Sequence, residues 1–77
     1  MKYKFEQFNV ELENPTITIN FDSLIQKPAN LTFSVEVFLQ VNGAKYSHTF
    51  QDLTYVGILT NSEVEEQVNN ELLNFAI

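Results

Sequence analysis

Residues 31–41 alternate without interruption. Leu31, Phe33, Val35, Val37, Leu39 and Val41 are apolar, and every residue between them except Phe38 is polar. A period of two over that length predicts a half-buried strand with one face in a core. Asn42-Gly43 follows at once. That dipeptide suits a type I′ turn, in which both central residues need positive φ. With those two residues as the loop, Leu39 faces Tyr46, Val37 faces His48, Val35 faces Phe50 and Phe33 faces Asp52. Gln40 then meets Lys45, and Glu36 meets Thr49, on the other face. A one-residue slip would send the whole apolar set to the wrong side, so this register is tightly specified.

A second hairpin is expected upstream. Phe8, Val10 and Leu12 alternate, Glu13-Asn14-Pro15-Thr16 carries turn chemistry, and Ile17, Ile19 and Phe21 alternate again. A four-residue loop pairs Leu12 with Ile17 and Val10 with Ile19. Tyr3 and Phe5 are out of phase with Phe8, which calls for a bulge near Glu6-Gln7 or a break in the strand. Residues 22–30 read as a linker, with Lys27-Pro28 ending any helical turn begun at Ser23-Leu24-Ile25.

The last segment reads as a helix over about residues 61–76. Thr60-Asn61-Ser62-Glu63 has the spacing of a capping box, and Leu59 and Val64 are placed as a hydrophobic staple. Val64, Val68, Leu72, Phe75 and Ala76 draw one apolar stripe. At about 16 residues such a helix is marginal alone and needs a sheet to dock on. The expected fold is therefore α+β: a four-stranded antiparallel β-meander of two hairpins, covered on one face by a C-terminal helix (ββββα). Its strands lie near residues 3–12, 16–21, 31–41 and 45–54, and residues 1–77 form one small domain.

Composition removes several classes of function. The chain of 77 residues has no cysteine, so it offers no disulfide, no thiolate zinc site and no thiol nucleophile. Its four basic residues are all lysine, against ten acids, a poor surface for direct nucleic-acid binding. No apolar run approaches the ~20 residues that span a bilayer, and no secretory leader follows Met1-Lys2, so a cytoplasmic location and no membrane partner are expected. His48 is the only histidine. Its neighbour Ser47 points to the opposite face, and Asp52 lies roughly 13 Å along the strand, so no catalytic pair forms in register. Glu63 and Glu66 are spaced to share a cation, yet exposed glutamates at that spacing are usually just solvated. No phosphate loop, nucleophile elbow or metal motif occurs, and no cofactor is expected. The chain reads as a non-enzyme.

Two surfaces remain as candidates. Phe38 projects from the face opposite the core, and Tyr55, with Tyr3, Phe5 and Leu53, is positioned to join it if the strands bend. An aromatic patch on a bare sheet face would bind another protein or a second copy of the chain as a homodimer. The second surface is acidic. Residues 1–60 carry a net charge of −2 and the last 17 carry −4, from Glu63, Glu65, Glu66 and Glu71. Glu63, Glu66 and Glu71 would contact a basic partner surface, in the manner of an inhibitor or a nucleic-acid mimic. A third reading is a small-ligand binder, with His48 and Tyr46 at the mouth of a cavity between helix and sheet. Small size, abundant amides and the lack of arginine suit an accessory protein of a phage or mobile element.

Overall fold

The computed structural model describes all 77 residues. Strands β1 (Lys2–Phe5) and β2 (Val10–Glu13) pair only with each other. Strands β3 (Thr16–Lys27), β4 (Thr32–Val41) and β5 (Ala44–Thr54) form a separate antiparallel sheet in the order β3-β4-β5. Helix α1 (Asn61–Leu72) follows, and a 3₁₀ turn over Leu73–Phe75 ends it. The protein is thus α+β with antiparallel sheets and one C-terminal helix. The expected single four-stranded meander is replaced by sheets of two and three strands.

The central hairpin has the register that its alternation dictates. Leu39 faces Tyr46, Val37 faces His48 and Val35 faces Phe50, around a turn with Asn42 and Gly43 both at positive φ. Beyond Val35 the register changes. Phe33 faces Leu53, not Asp52, because Gln51 and Asp52 together stand opposite Ser34. Asp52 takes a left-handed φ of 55°, and its N–H donates to Ser34 Oγ at 3.4 Å. This β-bulge adds one residue and changes which face each later side chain occupies. Leu53 and Tyr55 turn into the core, at 8% and 5% exposure.

The first hairpin is the larger correction. Residues 3–12 are not one strand. Phe8 and Asn9 N–H both donate to the Phe5 carbonyl, and Asn9 is left-handed. The chain therefore reverses within residues 6–9, and Tyr3 lies opposite Leu12 and Phe5 opposite Val10. The phase break between Phe5 and Phe8 is a strand break. Having taken β1 as its partner, β2 does not pair with β3. Ile17 faces Leu39 and Ile19 faces Val37 instead. The expected pairing of Leu12 with Ile17 and Val10 with Ile19 fails because alternation identifies a strand's buried face, not its neighbour.

Most of the expected linker is also strand, and its end, Pro28–Asn30, is a 3₁₀ turn that leaves Leu31 left-handed, exposed and outside β4. β3 continues to Lys27, with residues 21–24 looped out opposite Val35 before Ile25 rejoins at Ser34. Local side chains close this irregularity. Ser23 Oγ donates to the Asn20 carbonyl at 2.7 Å and accepts from Glu36 N–H at 2.8 Å. Asn20 Oδ1 accepts from Asp22 N–H, and its amide donates to Glu36. Ser23-Leu24-Ile25 thus forms no helical turn.

Helix α1 is capped as its sequence predicts, since Thr60 Oγ1 accepts from Glu63 N–H at 3.2 Å. The Glu63 carboxylate reaches instead to Val56 N–H, tying the preceding loop to the first turn. Val64, Val68 and Leu72 are buried in one core with Phe5, Leu12, Phe33, Val35, Val37, Leu39, Phe50, Leu53 and Tyr55. The α-helix ends at Leu72, short of the expected residue 76. The tighter last turn stacks Phe75 on Phe5, with ring centroids 4.4 Å apart. Ala76 then bridges to Tyr3, and Ile77 N–H donates to the Lys2 carbonyl, so the C-terminus covers the outer edge of β1.

Candidate functional site

The residues singled out from sequence do not come together. Phe38 does lie on the open face of the three-stranded sheet, but Lys45 covers its ring, with Nζ 4.1 Å from the centroid. Around it that face is polar, with Thr18, Asn20, Glu36, Gln40, Ser47 and Thr49 on the three strands. Tyr55, which was expected beside Phe38, is in the core, and its hydroxyl accepts from Gln26 Nε2 at 2.8 Å. Phe5 and Leu53 are buried too. The bulge at Asp52 and the turn at residues 6–9 remove the members of the aromatic patch.

The acidic side chains also diverge. Glu63 is committed to Val56 N–H and accepts from Gln67 Nε2. Glu71 is half-buried and acts electrostatically on His48. Glu66 points to solvent. At about 100° of helix turn per residue, Glu66 and Glu71 lie roughly 140° apart, so they belong to different faces.

His48 is a packing residue. Its ring meets Phe5 at 5.1 Å, Phe50 at 4.6 Å and Phe75 at 5.4 Å between centroids. Nδ1 lies 2.9 Å from Gln7 Oε1, and the Gln7 amide donates to the Ser47 carbonyl. That orientation assigns the proton to Nδ1. Burial among the rings pushes the imidazole below its ordinary value of 6.5, while the Glu71 carboxylate pulls it back up. His48 and Tyr46 line no hollow in the molecule. No three His, Asp or Glu side chains gather as a metal-binding set.

The feature that sequence reasoning missed is the outer edge of β3. Strand edges expose unpaired N–H and C=O groups, and proteins blunt them by shortness, charge, proline, bulges or cover. The other edges here are blunted. β5 is gripped at Ser47 by Gln7, and Phe8 packs on Tyr46 at 4.9 Å. β1 is bridged by the C-terminal residues, and β2 has four residues, two of them glutamate. β3 has none of these defences over its first half. It pairs regularly with β4 from Thr16 to Asn20, carries no charge there, and ends the sheet. None of the backbone bonds outside the ladders and helices involves it.

A hollow of about 390 Å³ runs beside this edge, between β3 and α1. Ile17, Ile19 and Phe21, all half-buried, form its apolar side, and Glu65 and Asn69, one turn apart on α1, form its polar side. The Glu65 carboxylate makes no ion pair or hydrogen bond. The sequence signal was present in Thr16-Ile17-Thr18-Ile19-Asn20, a β-branched run without charge or proline. With that run paired to β2, it would have had no free edge. A second exposed feature, the Val56-Gly57-Ile58 loop, carries Val56 and Ile58 at 85% and 83% exposure. A further hollow of about 300 Å³ on the open face is lined by Ser23, Ser34, Glu36 and Thr49 among others, and both serines there already serve the sheet irregularities.

No helix is long and apolar enough to cross a membrane. No protein-family model matches the chain, and neither a curated protein nor a solved structure matches it.

Proposed function

We propose that this protein is a non-enzymatic interaction domain that recruits a protein partner by adding a strand of that partner to β3. The observation that carries this reading is the unpaired, uncharged edge from Thr16 to Asn20 beside a half-apolar groove. Five residues of strand span about 17 Å, enough for several main-chain hydrogen bonds to an extended segment. In such recognition the main chain supplies affinity and the groove reads alternate side chains. Phe38 on the open face and Glu66 on the helix are the competing contacts; Phe38 has no apolar companion beside it on that face, and Glu63, the carboxylate one turn before Glu66, is held to Val56 N–H.

Affinity capture from lysate of the source cells, with four variants beside the parent, tests the reading. Ile19→Lys puts a charge into the groove, and Thr18→Lys adds the kind of edge lysine that discourages strand pairing. Both are expected to lose the protein that the parent captures, whereas Phe38→Ser and Glu66→Gln are expected to keep it. Thr18 is exposed, so its variant stays informative should Ile19→Lys disturb the fold. A partner kept by Thr18→Lys but lost by Phe38→Ser or Glu66→Gln would move the interface to the open face or the helix.

A further inference from the structure

We infer that the segment docking on β3 is a foreign extended peptide with a basic side chain facing Glu65 and apolar residues two positions to either side. This assignment rests on β3 being the docking edge. A strand added there continues the sheet, so its side chains alternate between the open face and the α1 side. Those on the α1 side arrive beside Ile17, Ile19 and Phe21 and below the helix flank that carries Glu65 and Asn69. Apolar side chains suit Ile17 and Phe21. The position between them meets Glu65, a carboxylate with no partner of its own. A lysine or arginine there lays its apolar stem along Ile19 and carries its charge to that carboxylate.

The same geometry disfavours a second copy as the occupant. Two β3 edges pairing antiparallel are related by a two-fold axis normal to the sheet, which brings both α1 helices to one side of the joint. Each would present Glu65 to the junction, and each chain carries a formal charge of −6. The chain has no lysine to place between them. Lys27 pairs with Asp52 and Lys2 with Glu11, Lys45 lies over Phe38, and Lys4 is in β1. Like charges facing across a joint oppose pairing, and a cation from another molecule removes that opposition.

The probe is the peptide acetyl-Ser-Val-Thr-Lys-Thr-Val-Ser-amide, titrated to millimolar concentration while the protein's backbone amides are followed by NMR. Its controls are the analogue with glutamine for lysine and one methylated on alternate backbone nitrogens. The lysine peptide is expected to shift the amides of Thr16, Ile17, Thr18 and Ile19 and those of Glu65 and Asn69. It should bind about fivefold more tightly than the glutamine peptide at low salt, a difference that shrinks at high salt. In Glu65→Gln the two peptides should bind alike. Equal affinities on the parent, with shifts still confined to β3, would overturn the basic-peptide assignment and leave the edge reading standing. Shifts elsewhere, as at Val56 and Ile58, would overturn both, as would binding that survives backbone methylation or no shift from any peptide. Concentration-dependent dimers whose contacts map to β3 would keep the edge and replace the foreign peptide with a second copy.

Discussion

The β5 bulge makes a prediction that separates two registers of the same sequence. If the hairpin ran on without a bulge, Leu53 would share the open face with Phe38, and truncating either would cost little. In the bulged register Leu53 is 8% exposed and faces Phe33, while Phe38 stands on the open face under Lys45. Leu→Ala in a core costs about 2–5 kcal/mol, and the lower half of that range suits a site at the end of a strand, so Leu53→Ala should cost about 2–3 kcal/mol. Phe38→Ala loses partial burial and one exposed cation–π contact, about 1 kcal/mol. A domain of this size has roughly 4–12 kcal/mol in total, so the first loss is a large fraction of its stability. In urea, with a slope near 1 kcal/mol per molar, Leu53→Ala should lower the unfolding midpoint by about 2–3 M and Phe38→Ala by about 1 M or less. By heat, Leu53→Ala should lower Tm by roughly 10–20 °C. Circular dichroism of both variants beside the parent is sufficient. A Leu53→Ala midpoint equal to that of Phe38→Ala, or above it, would refute the bulged register and return Leu53 to the open face.

Four further outcomes are expected. Deleting Asp52 restores a regular ladder in which Phe33 still faces Leu53; it relieves a left-handed φ and removes an exposed ion pair with Lys27, so stability should change by less than about 1 kcal/mol in urea titration. Thr60→Ala removes the cap on Glu63 N–H and should cost about 1 kcal/mol, read as a lower midpoint with early loss of helical signal. For His48, the folded-state value lies below 6.5, so the unfolded chain binds the extra proton first and stability falls as pH drops from about 7 through the folded value. Tm measured from pH 8 to 5.5 should therefore decline in the parent and less in His48→Gln. Glu71→Gln, which removes the carboxylate opposing the shift, should lower the histidine's NMR titration midpoint further, and an unchanged or higher midpoint would contradict the placement of Glu71.

What could be read from the residues alone was set by local chemistry. Asn42-Gly43 at positive φ and the alternation beside it specified the β4–β5 turn and its first pairs. Thr60 and Glu63 specified where α1 begins, and Val64, Val68 and Leu72 specified its buried stripe. Less was legible at the candidate site, because the docking edge is defined by an absence of pairing. Thr16-Ile17-Thr18-Ile19-Asn20 has the same strand-forming pattern whether β2 lies beside it or solvent does.

Tertiary structure made the remaining decisions, and each was a choice among partners that local patterns leave equal. β2 satisfies its backbone on β1 through the turn at residues 6–9, which frees β3 to pair with β4 and leaves its other edge open. Ser34 stands opposite the extra residue of β5 and Val35 opposite the looped segment of β3; the bulge on the β5 side turns Leu53 and Tyr55 inward. Hydrophobic burial is non-directional and strand pairing is sequence-tolerant, so the apolar faces were settled by the chain itself. Which strand meets which, and so which surface is left for a partner, was settled only when all the elements competed for one core.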